Sequence, residues 1–267
     1  MTNDDPFVKF KAMQRESWAL FSPLAAFTTP GAASLVEFAA ITKGQKVLDV
    51  ATGTGVVAIT AARAGAQVKG MDLSPVLLED AKKNAAVANL QIEFVEGDVE
   101  KLPYKDGEFD VVLSQFGHMF APRPEVAIKE MLRVLKPGGR IAFSTWPPDL
   151  AIGRVFRTVA KYLPPPPGVA PPPAWGDPNV VKERLGDAVT NIEFLTDEIF
   201  FPALSPAHYR ANMELTAGPV IKAVETLSAS DPAKLAQFRK EMEDVAQTFF
   251  WRNRVRQMFL MTRATKK

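Results

Sequence analysis

The chain has 267 residues, 47% of them hydrophobic, enough for a full core in one large domain or one domain with a cap. Lysine and arginine number 32 against 30 acidic residues, and that near balance argues against a dedicated nucleic-acid binder. The absence of cysteine excludes disulfides, cysteine nucleophiles and thiolate metal sites, and two histidines, His118 and His208, leave almost no room for a multi-histidine site, so no metal is expected.

Residues 6–28 mix aromatics with charges. Phe7, Phe10, Met13 and Ser17 fall at helical spacing and predict an amphipathic helix. Trp18, Phe21 and Phe27 make the segment a candidate lid over a ligand. The charged first residues do not read as a signal peptide, and no apolar run is long enough to span a membrane. The expectation is a cytoplasmic protein. Thr29 followed by Pro30 reads as the cap and first-turn proline of a second helix, reaching about residue 41 and closed by Lys43-Gly44.

From residue 45 strands and helices alternate. Strands are predicted over 46–50, 67–71, 92–95, 109–113 and 140–144. Helices are predicted over 55–64, 74–88 and 125–135, and Lys136-Pro137-Gly138-Gly139 reads as a turn. The alternation means βαβ units, and so an α/β, Rossmann-like, doubly wound and mostly parallel sheet. Two later strands bring the expected total to seven. Strand C-terminal ends share one edge of such a sheet, and ligands bind there. Asp49, Asp72, Asp98 and the pair Ser114-Gln115 all fall at those ends.

After Trp146 the character changes. Residues 152–163 read as a helix. Pro164 to Pro167 and Pro171 to Pro173 then form a proline-rich loop, read as a short extended spacer. A short helix over 178–185, a strand over 192–201, a helical stretch over 206–248 with breaks at Gly218-Pro219 and 228–232, and a last strand over 255–262 complete the chain. The arginines and lysines around that last strand read as a solvated edge and tail.

Between the first strand and its helix lies Ala51-Thr52-Gly53-Thr54-Gly55. Glycines there let a ligand approach the main chain, and the helix start offers unpaired N–H groups. Gly53 to Ala58 fits a G-x-G-x-x-A dinucleotide fingerprint, with Asp72 lying 17 residues past Gly55. That match alone does not separate a nicotinamide dinucleotide from other adenosine ligands.

Five segments in order over residues 46–144 do separate them. Val47-Leu48-Asp49-Val50-Ala51-Thr52-Gly53-Thr54-Gly55 resembles the first motif of the class I S-adenosylmethionine (SAM)-dependent methyltransferases. Gly70-Met71-Asp72-Leu73-Ser74, the run from Glu96 to Tyr104, Phe109-Asp110-Val111-Val112 and the run from Glu130 to Arg140 resemble the following ones. The ubiquinone/menaquinone-biosynthesis type and related small-molecule methyltransferases are most similar. Ala51 departs from the glycine found in many members.

The resemblance implies SAM as cofactor and gives roles to residues. Asp49 would order the glycine loop and meet the ammonium end, and Ala51, Gly53, Thr54 and Gly55 would form the turn around it. Asp72, with Leu73 beside it, would accept the ribose hydroxyls. Asp98 and the Val99 N–H would meet the adenine, and Ser114 and Gln115 would close the cradle. The expected organisation is a single methyltransferase domain: lid helices over 1–44, SAM-binding core over 45–146, proline-rich loop, sixth strand and helical cap over 147–250, and a final strand over 251–267.

Methyl transfer is an in-line displacement in which alignment matters most, and a base helps only an acceptor that must lose a proton. His118, just past the fourth strand, is the one candidate base. Trp18, Phe21, Phe27, Phe116, Met119, Phe120 and Trp146 are candidates for an apolar substrate pocket, implying a small apolar or aromatic acceptor. Ser114-Gln115-Phe116-Gly117 stands where nucleic-acid amino methyltransferases carry an Asn/Asp-Pro-Pro-aromatic motif, so no nucleic-acid partner is expected. A monomer or homodimer is expected. A nicotinamide-dependent oxidoreductase and a catalytically silent SAM-binding protein are the alternatives.

Overall fold

The computed structural model describes residues 7–267. Residues 1–6 of the expected lid segment lie outside the described residues.

Two helices, α1 (Val8–Trp18) and α2 (Ser22–Phe38), precede β1 (Lys46–Val50). Then come α3 (Val56–Arg63), β2 (Gln67–Asp72), α4 (Pro75–Val87), β3 (Glu93–Glu96), β4 (Phe109–Gln115), α5 (Pro124–Val134) and β5 (Leu135–Thr145). The second half holds α6 (Ala151–Tyr162), α7 (Pro178–Leu185), β6 (Val189–Pro202), α8 (Pro206–Thr216), α9 (Gly218–Ser230), α10 (Pro232–Phe249), β7 (Phe250–Trp251) and β8 (Arg254–Lys266).

The strands form one sheet in the order β3-β2-β1-β4-β5-β8-β6. The first five pair in parallel, while β8 runs antiparallel to both β5 and β6. Val47, Leu48 and Val50 in β1 are fully buried, as expected of a central strand covered on both faces. The chain moves outward from β1 to β3, then returns on the other side of β1 as β4. That reversal opens a crevice at the C-terminal ends of β1 and β4.

Several sequence expectations are corrected. The sheet has eight strands, because Phe250–Trp251 folds back on β8 through Arg252 and Asn253, both at positive φ. The second helix starts at Ser22, with Pro23 in its first turn, and Pro30 sits inside it. Pro30 carries no N–H to bond back along the helix, yet the helix continues through it to Phe38. Lys136-Pro137-Gly138-Gly139 is not a separate turn. It lies within β5, where the register against β4 shifts, Gly138 has φ +74° and Gly139 lies against the Asp110 carbonyl. The proline-rich loop is more than a spacer: it ends in a short 3-10 turn, Pro172–Gly176, that drives Trp175 into the core beside Phe143.

Among the described residues no single helix is long and apolar enough to cross a membrane. Helices α1 and α2 meet the length and composition test only as a pair, and they are bent by 89°.

Candidate active site

The crevice holds a cavity of about 200 Å³ and, on the β1 side, a smaller one of about 40 Å³. Ala51, Gly53, Phe116 and Gln115 line both. One end of the larger cavity is polar and is built by successive strand ends. The other is apolar and is built by the lid helices, the segment after β4 and the second half of the chain.

At the end of β1, Asp49 is buried. Its Oδ2 accepts hydrogen bonds from Thr52 Oγ1 (2.5 Å) and the Ala58 N–H (3.0 Å). Its Oδ1 is buried with no hydrogen-bond partner among the described residues. Burial pushes this carboxyl up to about 7, against the lowering effect of those two bonds, with Asp72 adding a repulsive contribution. A buried carboxylate oxygen with no donor is costly, and its chemistry suits a cationic group. The loop that follows is left-handed at three positions, Ala51 (φ +53°), Gly53 (φ +54°) and Gly55 (φ +83°). Alanine at such a φ is strained. A side chain at Gly117 would lie 2.4 Å from the Ala51 Cβ, so the alanine is accommodated by a glycine across the crevice.

At the end of β2, Asp72 lines the larger cavity, its Oδ2 accepting from the Gly53 N–H (2.8 Å) and its Oδ1 from the Ser74 N–H (2.8 Å). Burial holds it above the ordinary carboxylate range, opposed by the Ser74, Gly53 and Leu73 amides. Leu73, Asp98 and Val99 line the same cavity. Asp98 takes Lys11 Nζ at 2.7 Å. Lys11 also reaches Glu100 at 2.6 Å, and Glu100 in turn receives the Arg123 backbone N–H and side chain. Lys11, on α1, is 2% exposed, so the first lid helix is pinned to the third strand's loop by a buried charge cluster. Arg15 to Glu96 (2.8 Å), Gln14 to the Phe120 carbonyl (2.9 Å) and Ser22 to Asp80 (2.5 Å) continue that seam.

Other predicted residues fall differently. Thr54 lines the smaller cavity, and its buried hydroxyl has no partner among the described residues. Gly55 lines neither and packs on Ala81 and Phe94. Ser114 is fully buried and tied to the Val50 carbonyl and the His118 N–H. Gln115 turns its amide to α2, Nε2 donating to the Thr28 carbonyl at 3.1 Å.

His118 is corrected. It has no exposure, lines neither cavity, and packs edge-on against Phe143 (4.7 Å) and Trp175 (4.8 Å). Burial, with a smaller push from the Arg184 cation, pulls its imidazole down to about 3, so it is neutral and a poor base. The 3-10 turn after β4 (residues 118–120) points His118 and Met119 inward and Phe120 to the cavity. Met119 is therefore core rather than pocket.

Trp18, Phe21, Phe27, Phe116 and Trp146 do line the larger cavity. Phe116 and Trp146 are stacked at 3.8 Å, Trp18 meets Phe21 and Phe120, and Phe27 meets Phe201. Lys11, Gln14, Phe156, Phe201, Met213 and Gln257, not among the residues expected from sequence, also line the larger cavity. Lys11 and Gln14 had a signal: with Phe7 and Trp18 they form an i, i+4, i+7, i+11 stripe, one position away from the stripe assumed.

A crevice at the strand-order reversal, with an acid at the end of each of three neighbouring strands and a glycine turn between, defines a nucleotide-type cradle of a Rossmann-like enzyme. A model of the methyltransferase domain matches residues 48–143. An uncharacterized Mycobacterium tuberculosis (strain H37Rv) protein, Rv1403c, is 35% identical over 240 residues, 88% of this chain and 87% of that one. The demethylmenaquinone methyltransferase of Deinococcus radiodurans is 40% identical over 123 residues, 45% of this chain and 51% of that one. In fold, the chain resembles YcgJ of Bacillus subtilis (TM-score 0.59, 16% identity, 89% of this chain and 98% of that one). It also resembles the phosphoethanolamine N-methyltransferase 2 of Haemonchus contortus solved with SAM (TM-score 0.54, 16% identity, 89% of this chain and 52% of that one). The chain belongs to the class I SAM-dependent methyltransferases, and its cofactor is SAM.

Proposed function

We propose that this methyltransferase acts on a small apolar or aromatic acceptor and releases S-adenosylhomocysteine. The observation that carries the reading is the wall that the two cavities share, Phe21, Ala51, Gly53, Gln115 and Phe116 among it. Asp49 and the Gly53 turn lie at one side, Asp72 and Asp98 line the larger cavity, and aromatic side chains, Trp18, Phe21, Phe27, Phe116 and Trp146 among them, form much of its remaining wall. When bound, SAM supplies a methyl group activated by its sulfonium. Asp49 offers its unpartnered Oδ1 to the ammonium end, and Thr54 offers its hydroxyl beside it. Asp72, fixed by two backbone amides, accepts from the ribose hydroxyls with its remaining lone pairs. Asp98 and the Val99 N–H meet the adenine edge. Phe116, Trp146, Trp18, Phe21 and Phe27 exclude water and align the acceptor.

We assign the chain as one catalytic unit, with the lid over 1–44, the SAM-binding core over 45–146, the cap over 147–250 and the final strand over 251–267. It works in the cytoplasm as a monomer or homodimer. The test is calorimetric titration with SAM, followed by S-adenosylhomocysteine release across a panel of apolar acceptors. SAM binding with acceptor-dependent release supports the reading. Binding without release from any acceptor would leave a silent SAM-binding protein, and absence of binding would refute the site.

A further inference from the structure

The second half of the chain carries the sheet past its ligand edge. β8 pairs with β5 from Thr265 back to Leu260, which stands opposite Thr145, the last residue of β5. Arg254 to Phe259 continue beyond it, paired with β6 and, at the end, with β7. At the ordinary rise of a strand this overhang extends about 20 Å past β5.

The overhang has two unlike faces. Directly opposed residues share a face of a sheet, and neighbours along a strand alternate. Phe201 and Phe250 oppose Val255 on the face turned to the core, where Phe201 and Val255 are buried and Phe201 and Gln257 line the larger cavity. On the other face Pro202 and Trp251 oppose Arg254, and Phe200 opposes Arg256. There the Arg254 guanidinium lies over Phe200 (4.1 Å) and Trp251 (5.1 Å), and that of Arg252 over Trp251 (4.4 Å). Trp251 is still 55% exposed. Leu204, 74% exposed, stands beside the tip, because the preceding Ala203 N–H donates to the Asn253 carbonyl at 2.8 Å. The charge is one-sided. Residues 199–206 hold no charged side chain, and residues 249–256 hold three arginines and no acid. Arg256 meets Glu198 from farther back on β6, whereas Arg252 and Arg254 have no carboxylate partner among the described residues.

We propose that the end of this overhang seats the protein reversibly on an anionic lipid surface, with Trp251 and Leu204 in the headgroup layer and Arg252 and Arg254 against lipid phosphates. An apolar tip and a cluster of cations are the two signals that together hold a protein at a bilayer, and here both occupy one protruding end. Single-stranded nucleic acid is the poorer match: a base would need a face of Trp251 to stack on, and two guanidiniums already lie over that ring. Seated in this way, the protein turns the ligand edge of its sheet toward the bilayer, where an apolar acceptor concentrates. The surface is argued from its own residues and does not depend on the methyltransferase reading.

Cosedimentation of the full chain with vesicles tests this, one set of phosphatidylcholine alone and one containing about 30% phosphatidylserine. Each cation near an anionic surface contributes a factor of about five, so the serine-containing vesicles should be bound about 25-fold more tightly in about 0.1 M salt, and the difference should vanish near about 1 M. Arg252→Glu should weaken that binding by about 25-fold, since an attracted charge becomes a repelled one. Trp251→Ala should weaken it by about fivefold. Both residues lie outside the two cavities, so the melting temperature and the SAM affinity read by calorimetry should match those of the unaltered protein, which separates lost docking from lost folding. Equal binding to the two vesicle types, binding to neither, or binding that survives both substitutions would overturn the proposal. So would an oligonucleotide held more tightly than the anionic vesicles, or a dimer in sedimentation velocity that Trp251→Ala dissolves. The vesicle result is independent of SAM binding, so the two readings fail separately.

Discussion

If Asp49 meets the ammonium end of SAM as proposed, SAM binding should depend on pH, and the size of the effect follows from its surroundings. Its carboxyl is raised from 3.8 to about 7 because it is buried, and Oδ1 has no donor among the described residues. The folded chain thus holds a proton between those values that the unfolded chain releases. Stability is full below the lower value and falls as pH rises through about 7, by on the order of 4 kcal/mol at most. An ammonium placed against Oδ1 reverses the preference, because it stabilises only the ionised form. Below about pH 7 binding must first expel the proton, so the SAM dissociation constant should grow by about tenfold per pH unit, reaching about 100-fold near pH 5. Calorimetric titration from about pH 5 to about pH 7.5, with thermal melts alongside to confirm folding, measures this. Asp49→Asn keeps the shape and removes the charge. Its SAM affinity should be weak and flat over the range, and its melting temperature should lose the decline toward neutral pH. A dissociation constant in the unaltered protein that is equal at the two ends of the range would refute the reasoning.

Lys11→Met should destabilise the protein by about 3 kcal/mol in chemical denaturation, because it withdraws a buried cation from Asp98 and Glu100. Lys11→Arg should recover SAM affinity in part, whereas a purely apolar role for the stem would make Met the better substitute. Gly117→Ala should abolish SAM binding, since its Cβ would lie 2.4 Å from that of Ala51; pairing it with Ala51→Gly should restore binding, and independent effects in that double-mutant cycle would deny the contact. His118→Leu should retain turnover within about twofold and match or exceed the native melting temperature, because it deletes two buried ring nitrogens that have no partner among the described residues. A large loss of kcat at an unchanged melting temperature would restore His118 to the chemistry.

What could be read from the sequence is what the chain encodes locally. Asp49, Asp72 and Asp98 each follow a short apolar run and precede a turn, and a parallel sheet brings such positions to one edge whatever else the chain does. The cradle was legible for that reason. His118 was not, although it lies only three residues past β4. Its environment is set by Trp175, which arrives from the far end of the proline-rich loop, and by Phe143 on the next strand. A 3-10 turn has three residues per turn, so one position of phase decides whether Met119 or Phe120 faces the cavity, and spacing alone does not supply that phase.

Lys11 shows the same limit from the other side. A lysine on an amphipathic helix reads as solvated unless its partners are known, and Asp98 and Glu100 lie 87 and 89 residues away. Ala51 is the instructive middle case. It departs from the glycine found in many members, and at φ +53° it carries backbone strain. The compensation sits in Gly117, on a segment read separately for substrate chemistry. The methyl group at 51 and the missing one at 117 fill a single space, so the departure belongs to a pair. A substitution that looks neutral within a motif is therefore judged by the residue facing it across the crevice, and here that residue lies 66 positions along the chain.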